Sequence, residues 1–182
     1  MTKQSSREQE PGVELDINSL FDREFGYVWK TLRRFGVREA DLPDQTQEVF
    51  LKLHELRAEY DPARPLRPYL CAIAFRVAVG HRRRAHQRRE VLGEAGPPAV
   101  DATLDPAEQL ERSEARSRLM EALEHVNDDR RVVLVMHDID GTGMPEIVAA
   151  LGIPLNTGYS RLRLARQELS EAVHALREGR EP

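Results

Sequence analysis

Five arginines crowd into ten positions, Gly80 to Arg89, in the stretch "GHRRRAHQRR". Guanidinium groups are always charged and carry a rigid fork of N–H donors that matches phosphate oxygens, so the chemistry on offer is the holding of a polyanion. The overall formal charge of −4 argues against that, but the charge is unevenly spread. Residues 64–90 carry +7, whereas 1–63 carry −4, 91–129 carry −7 and 130–182 are neutral. Screening over about 10 Å confines each patch to its own neighbourhood, so a local positive field survives. The competing reading of such a run is a solvated helix face.

A second set of side chains lies near the end. Asn156, Thr157, Tyr159, Ser160, Arg161 and Arg163 fall within eight positions. Asn and Arg make bidentate bonds to base edges, and Ser, Thr and Tyr hold phosphates. By type, these are DNA-reading side chains. Bond-making chemistry has no comparable signal. His54, His81, His86, His125, His137 and His174 are scattered, Cys71 is the single cysteine, and no nucleophile motif or glycine-rich phosphate loop occurs. The sequence therefore predicts no enzyme, no metal and no cofactor. Cys71 cannot form an internal disulfide, and in "YLCAIAF" it reads as a small buried hydrophobe.

These residues need elements to position them, and the apolar pattern supplies helices. Leu20, Phe21, Phe25, Val28, Trp29, Leu32 and Phe35 recur at steps of one, three and four, with Gly36 as the stop. A second helix starts at Asp41 as cap with Pro43 in its first turn, and turns Val49, Phe50, Leu53 and Leu56 to one side. "DPARP" breaks it, and a long helix follows with Tyr69, Leu70, Ile73, Ala74 and Val77 as its buried stripe and the arginines at its end. "VLGEAGPPAVDATLDPAEQLE" combines three prolines with acids and few large apolar residues, so it reads as an extended linker. Leu119, Leu123 and Val126 face inward in the next helix. "MPEIVAALGIPLNTGYSRLRLARQEL" then punctuates as helix-turn-helix, with the turn at Gly152 to Pro154 and Leu155, Gly158, Leu162, Ala165 and Leu169 on one face. Gly158 inside a helix costs about 1 kcal/mol relative to Ala, which close packing on the preceding helix would explain. Period-two alternation is absent. The expected fold is all-α: a disordered tail at 1–16, a helical bundle at 17–90, a flexible acidic linker at 91–112 and a second bundle at 113–178.

This order of parts resembles the extracytoplasmic-function subgroup of the sigma-70 family, the sigma factors of bacterial RNA polymerase. "DLPDQTQEVFLKL" looks like the region 2.2 segment that grips core polymerase, "YDPARPLRPYLCAIAFRVAVGHRRR" is similar to regions 2.3 and 2.4, and "DDRRVVLVMHDIDGTGMPEIVAALGIPLNTGYSRLRLAR" to region 4. The resemblance covers residues from about 18 to 175. It implies polymerase contacts at Asp44, Gln47, Glu48, Phe50 and Leu51. It implies −10 contacts at Tyr60, Arg64, Arg67, Tyr69, Arg76, Arg82, Arg83, Arg84 and Arg88, and −35 contacts at Asn156, Thr157, Tyr159, Ser160, Arg161 and Arg163. Tyr69 stands where the family often has Trp, Arg76 where Asn is common, Gly80 where Asp is frequent, and Gly158–Tyr159 where a Val-Lys pair is usual. These departures lie at or near the promoter-reading surfaces, so no promoter sequence transfers.

The implied partners are bacterial core RNA polymerase and promoter DNA, with control by an anti-sigma factor or another device. A conventional helix-turn-helix regulator independent of core polymerase explains the C-terminal unit but leaves the QEVF segment and the arginine helix without a role. A helical adaptor would need both DNA-type surfaces to be accidental. No apolar run approaches the roughly 20 residues that span a bilayer, and the N-terminus lacks a signal-peptide core, so membrane insertion is not expected and the expected place is the cytoplasm.

Overall fold

The computed structural model describes residues 17–92 and 108–179. The expected tail at 1–16 lies outside the described residues. Among the described residues seven α-helices follow one another: α1 (Ile17–Arg34), α2 (Leu42–Glu55), α3 (Leu66–Leu92), α4 (Glu108–Glu124), α5 (Asp128–Leu134), α6 (Met144–Leu151) and α7 (Leu155–Arg177). Single 3₁₀ turns at Glu39–Asp41 and Arg57–Glu59 flank α2, and α5 runs on into a π turn at Val135–Ile139. The described residues contain no strand. Helix covers 91–92 and 108–112, and the rest of the expected linker lies outside the described residues. Glu108–Gln109–Leu110–Glu111 are all good helix formers, and that local preference prevails there.

The apolar stripes account for the packing. α1, α2 and α3 pack on one another through Val28, Leu32, Phe35, Leu42, Val49, Leu53, Leu70 and Ile73, each at most 2% exposed. α4, α5 and α6 pack on α7 through Leu123, Val132, Val133, Met136, Ile147, Leu162 and Ala165. Each buried Leu, Ile or Val side chain contributes about 1.5–3 kcal/mol of transfer free energy. The two sets join in one continuous apolar cluster, with α3 packed on α5 and α6.

Helix ends follow the expected punctuation with one correction. Gly36 and Gly152 take positive φ of 76° and 68°, the left-handed conformation that closes α1 and α6 at no Cβ cost. Asp41 stands at the N-cap of α2 but makes no capping hydrogen bond. Its Oδ2 instead accepts from Arg38 Nε at 3.2 Å and pairs with His81 Nε2 at 3.1 Å, because α3 offers a ring nitrogen there. Gly158 behaves as expected. A Cβ there would lie 2.6 Å from Val148 Cγ1 and 2.7 Å from Met144 Sδ, so α7 crosses α6 at a distance only glycine allows. Two inward assignments are corrected: Leu119 is 39% and Leu155 46% exposed.

Candidate nucleic-acid interface

α7 presents its first two turns to solvent. Asn156, Tyr159, Ser160 and Arg163 are exposed, while Gly158, Leu162 and Ala165 hold the opposite face against the bundle. Thr157 is half-buried, and its carbonyl accepts the Ser160 hydroxyl at 3.0 Å. Arg161 is already engaged: its Nη2 donates to Asp129 Oδ2 at 2.8 Å. α7 is held at the angle that aims this face by Arg166, whose Nε and Nη2 donate to both oxygens of Asp138 at 2.8 and 2.6 Å. That fork, helped by His137, holds the Asp138 carboxyl down to about 2. Arg130 and Glu168 make a second tie between α5 and α7. Neither tie was legible in the sequence as part of the site, because the partners lie 28 and 38 residues apart.

The other surface belongs to α3 and the loop before it. Tyr60 and Tyr69 approach with ring centroids 5.2 Å apart, and the Tyr60 hydroxyl donates to the Arg64 carbonyl at 2.7 Å, so the loop is clasped over a pair of aromatic planes. Arg64 is exposed and loosely paired with Asp61 at 3.5 Å. Arg67 donates to the buried Glu24 at 3.0 Å and lies over the Tyr27 ring at 5.1 Å. Arg76, Arg83 and Arg84 are exposed along α3. Arg82 is not: it is 29% exposed and pairs with Asp128 at 2.6 Å. Arg76, Arg82 and Arg83 line one side of a groove of about 670 Å³ whose other side is Asn127, Asp128 and Asp129. The side chain of Arg88 lies outside the described residues.

On α2, Asp44, Gln47 and Leu51 are exposed and Glu48 is half-exposed, in reach of Lys52 at 3.9 Å. Leu51, at 51% exposed, is a large apolar side chain facing outward among these polar neighbours. Phe50 is 4% exposed and packs under Phe21, ring centroids 4.8 Å apart. Phe25 and Trp29 extend that aromatic row along α1. Phe50 thus supports the α2 face from beneath.

Sequence reasoning missed the contacts between the two helical sets. The Tyr27 hydroxyl donates to Asp140 Oδ2 at 2.7 Å and Arg34 Nη1 to Asp140 Oδ1 at 2.9 Å. Burial first, then the neighbouring groups, push the Tyr27 phenol up, so it stays a donor. Burial likewise pushes the Cys71 thiol up, which keeps it inert. Arg131, 2% exposed, donates to the Val126 and Glu124 carbonyls, and burial lowers its pKa to about 10. Among the described residues no group of three or more His, Cys, Asp or Glu gathers to hold a metal, and no helix is long and apolar enough to cross a membrane.

Comparison with known proteins gives these surfaces a context. Residues 20–89 match the family model described as Sigma-70 region 2, and residues 116–169 the one described as Sigma-70, region 4. The chain is 31% identical over 160 residues to RNA polymerase sigma factor CarQ of Myxococcus xanthus, across 85% of this chain and 86% of that protein. It is 29% identical over 155 residues to RNA polymerase sigma factor CnrH of Cupriavidus metallidurans, across 79% and 78%. In fold it is similar to the sigma factor RpoE solved with the anti-sigma factor NepR from Bartonella quintana. The TM-score is 0.63 at 18% identity, covering 86% of this chain and 98% of that one.

Proposed function

The chain belongs to the sigma-70 family, in the extracytoplasmic-function subgroup of RNA polymerase sigma factors, and from that premise we propose how its surfaces divide the work of promoter recognition. We infer that residues 17–90 form the unit that holds core polymerase and the −10 element, and 113–178 the unit that reads the −35 element. The outward face of α2, with Asp44, Gln47, Glu48 and Leu51, takes core polymerase, and Phe50 keeps that face rigid.

The α3 surface takes the −10 element. Opening a duplex requires something to replace lost stacking, and aromatic planes beside a positive groove supply about 1–3 kcal/mol per stacked base. Tyr60 and Tyr69 are such planes, and Arg64, Arg67, Arg76, Arg82, Arg83, Arg84 and Arg88 hold the backbone. On α7, Asn156, Tyr159, Ser160 and Arg163 enter the duplex groove of the −35 element, with Thr157 and Arg161 at its edge. The role is binding and positioning, exercised in the cytoplasm where polymerase and promoter meet. A regulator of the anti-sigma class fits as a further partner.

The observation that carries this reading is that two exposed polar faces of different chemistry, one cationic beside paired tyrosines and one of base-reading type, sit on the two segments that match regions 2 and 4. Transcription in vitro with core polymerase on a genomic library, sequencing the 5′ ends, tests it. Start sites above core alone should share a two-part upstream element. Products indistinguishable from core alone would overturn the reading.

A further inference from the structure

Two buried arginine nitrogens lack a hydrogen-bond partner, and their side chains face the same corner. Arg131 is 2% exposed, and its Nε and Nη2 donate to the Val126 and Glu124 carbonyls at the end of α4, but its Nη1 donates to nothing. Arg82 leaves its buried Nε equally unbonded while its Nη2 pairs with Asp128 at 2.6 Å. Gly36 forms the third wall. The atoms nearest to where a Cβ of Gly36 would stand are Arg131 Nη1 and Arg82 Nη1, both at 3.6 Å, so two guanidiniums turn toward one bare stretch of backbone. A buried donor left unbonded is costly, and more so when it is charged. The charge count points the same way. Asp128 Oδ1 is shared between the two cations, 2.6 Å from Arg82 and 3.5 Å from Arg131, so two positive charges meet one acid at close range. Burial first, and then Arg82, lower the Arg131 pKa against the opposing pull of Asp128 and Glu124, so the corner keeps a net positive field.

We propose that this corner binds one small monovalent anion of halide size, seated against Gly36 between Arg82 and Arg131. Charge selects the valence: two guanidiniums and one shared carboxylate leave a single positive charge to be neutralised. Space selects the size. Because no atom beyond the turn itself comes nearer than 3.6 Å to the Cβ position, the room suits a single atom better than a tetrahedral oxyanion. Water would fit the room but leave the charge unanswered. Arg82 and Asp128 also line the groove of about 670 Å³, which gives an ion a way in from solvent. A bound halide accepts from both buried guanidiniums and supplies the partner that the surrounding protein does not. The site needs neither DNA nor polymerase, so it stands apart from the promoter roles proposed above.

Broadening of the chloride magnetic-resonance line by the full chain tests this, with ionic strength held constant by sodium gluconate. Wild type should broaden the line beyond Arg82→Gln, and bromide should abolish the excess. Gluconate, too large for the corner, should not. Arg177→Gln removes an exposed arginine at the end of α7 with the same change of charge, and it should match wild type. Asp128→Asn removes the shared acid, so it should lower the chloride concentration for half-saturation several-fold. That gain cannot come from unfolding, and it decides the matter even if Arg82→Gln loses structure. Half-saturation in Asp128→Asn equal to wild type, or no excess of wild type over a folded Arg82→Gln, would leave the corner to water and overturn the proposal. Equal losses in Arg82→Gln and Arg177→Gln would mean that chloride answers to diffuse surface charge, which overturns it as well.

Discussion

At Gly158 two preferences conflict, and the geometry decides between them. Alanine would gain about 1 kcal/mol of helix propensity, but its Cβ would fall inside the contact distance of Val148 Cγ1 and Met144 Sδ. Met144 can swing aside, whereas the β-branched Val148 cannot, so overpacking of about 1–3 kcal/mol prevails. Gly158→Ala should lower the urea midpoint, and Val148→Ala in the same chain should recover part of the loss. At Asp138 the question is one of pH. The Arg166 fork and then His137 depress its carboxyl from 3.8 to about 2. A depressed acid contributes stability that is full above its unfolded value and is lost as pH falls through its folded value. The contribution is therefore complete above about pH 4 and gone near pH 2. Since Arg166 is more than half exposed, solvent screening keeps the pair's contribution small. Asp138→Asn should be less stable than wild type at pH 6 in urea titrations, with the gap closing below pH 4. Residues of this kind divide by what the sequence carries. Gly158 was legible because a glycine inside a helical stripe needs a reason, whereas the Asp138 and Arg166 pair left no local mark.

Among the elements, α3 and α7 should fail in different ways. Replacing Arg82, Arg83 and Arg84 by Ala should weaken the −10 interaction with little change in base preference and reduce the salt slope by up to about three units. Asn156→Ala should cost about 1–3 kcal/mol and relax preference at one −35 position, with melting intact once a complex has formed. Permanganate reactivity of promoter thymines reports melting, and a salt titration reports phosphate contacts. Normal melting and an unchanged slope in the triple variant would leave the arginine run a solvated helix face. Six of the seven described helices were legible as separate helices, since each carries a stripe or a terminus signal, whereas the break at Asn127 that starts α5 was not. The π turn at Val135–Ile139 was not: "VMHDI" reads as continued helix, and only the packing shows that the widened turn delivers Asp140 to α1.

For the whole molecule, what escaped the sequence is the arrangement of the two units. A stripe tells which face of a helix is buried, but not that Tyr27 meets a carboxylate 113 residues away. That arrangement, with the charge distribution, determines how the free protein treats DNA. Its formal charge is −4, and the +7 of residues 64–90 is matched by the −7 of residues 91–129, which include the two acids that hold Arg82 and Arg161. A duplex approaching the free protein meets an arginine face partly neutralised from within: Arg76, Arg83 and Arg84 are exposed on α3, and Arg67, also exposed, is paired with Glu24. Few phosphate contacts give weak binding that salt readily abolishes. Free protein should therefore bind a promoter duplex weakly and with little sequence preference at physiological salt. Core polymerase should supply the further contacts that hold the promoter, and with them the preference. Fluorescence anisotropy on a promoter found by the transcription experiment, with and without core, measures this. Tight, sequence-specific binding by the free chain would mean that the internal acids do not offset its arginine face.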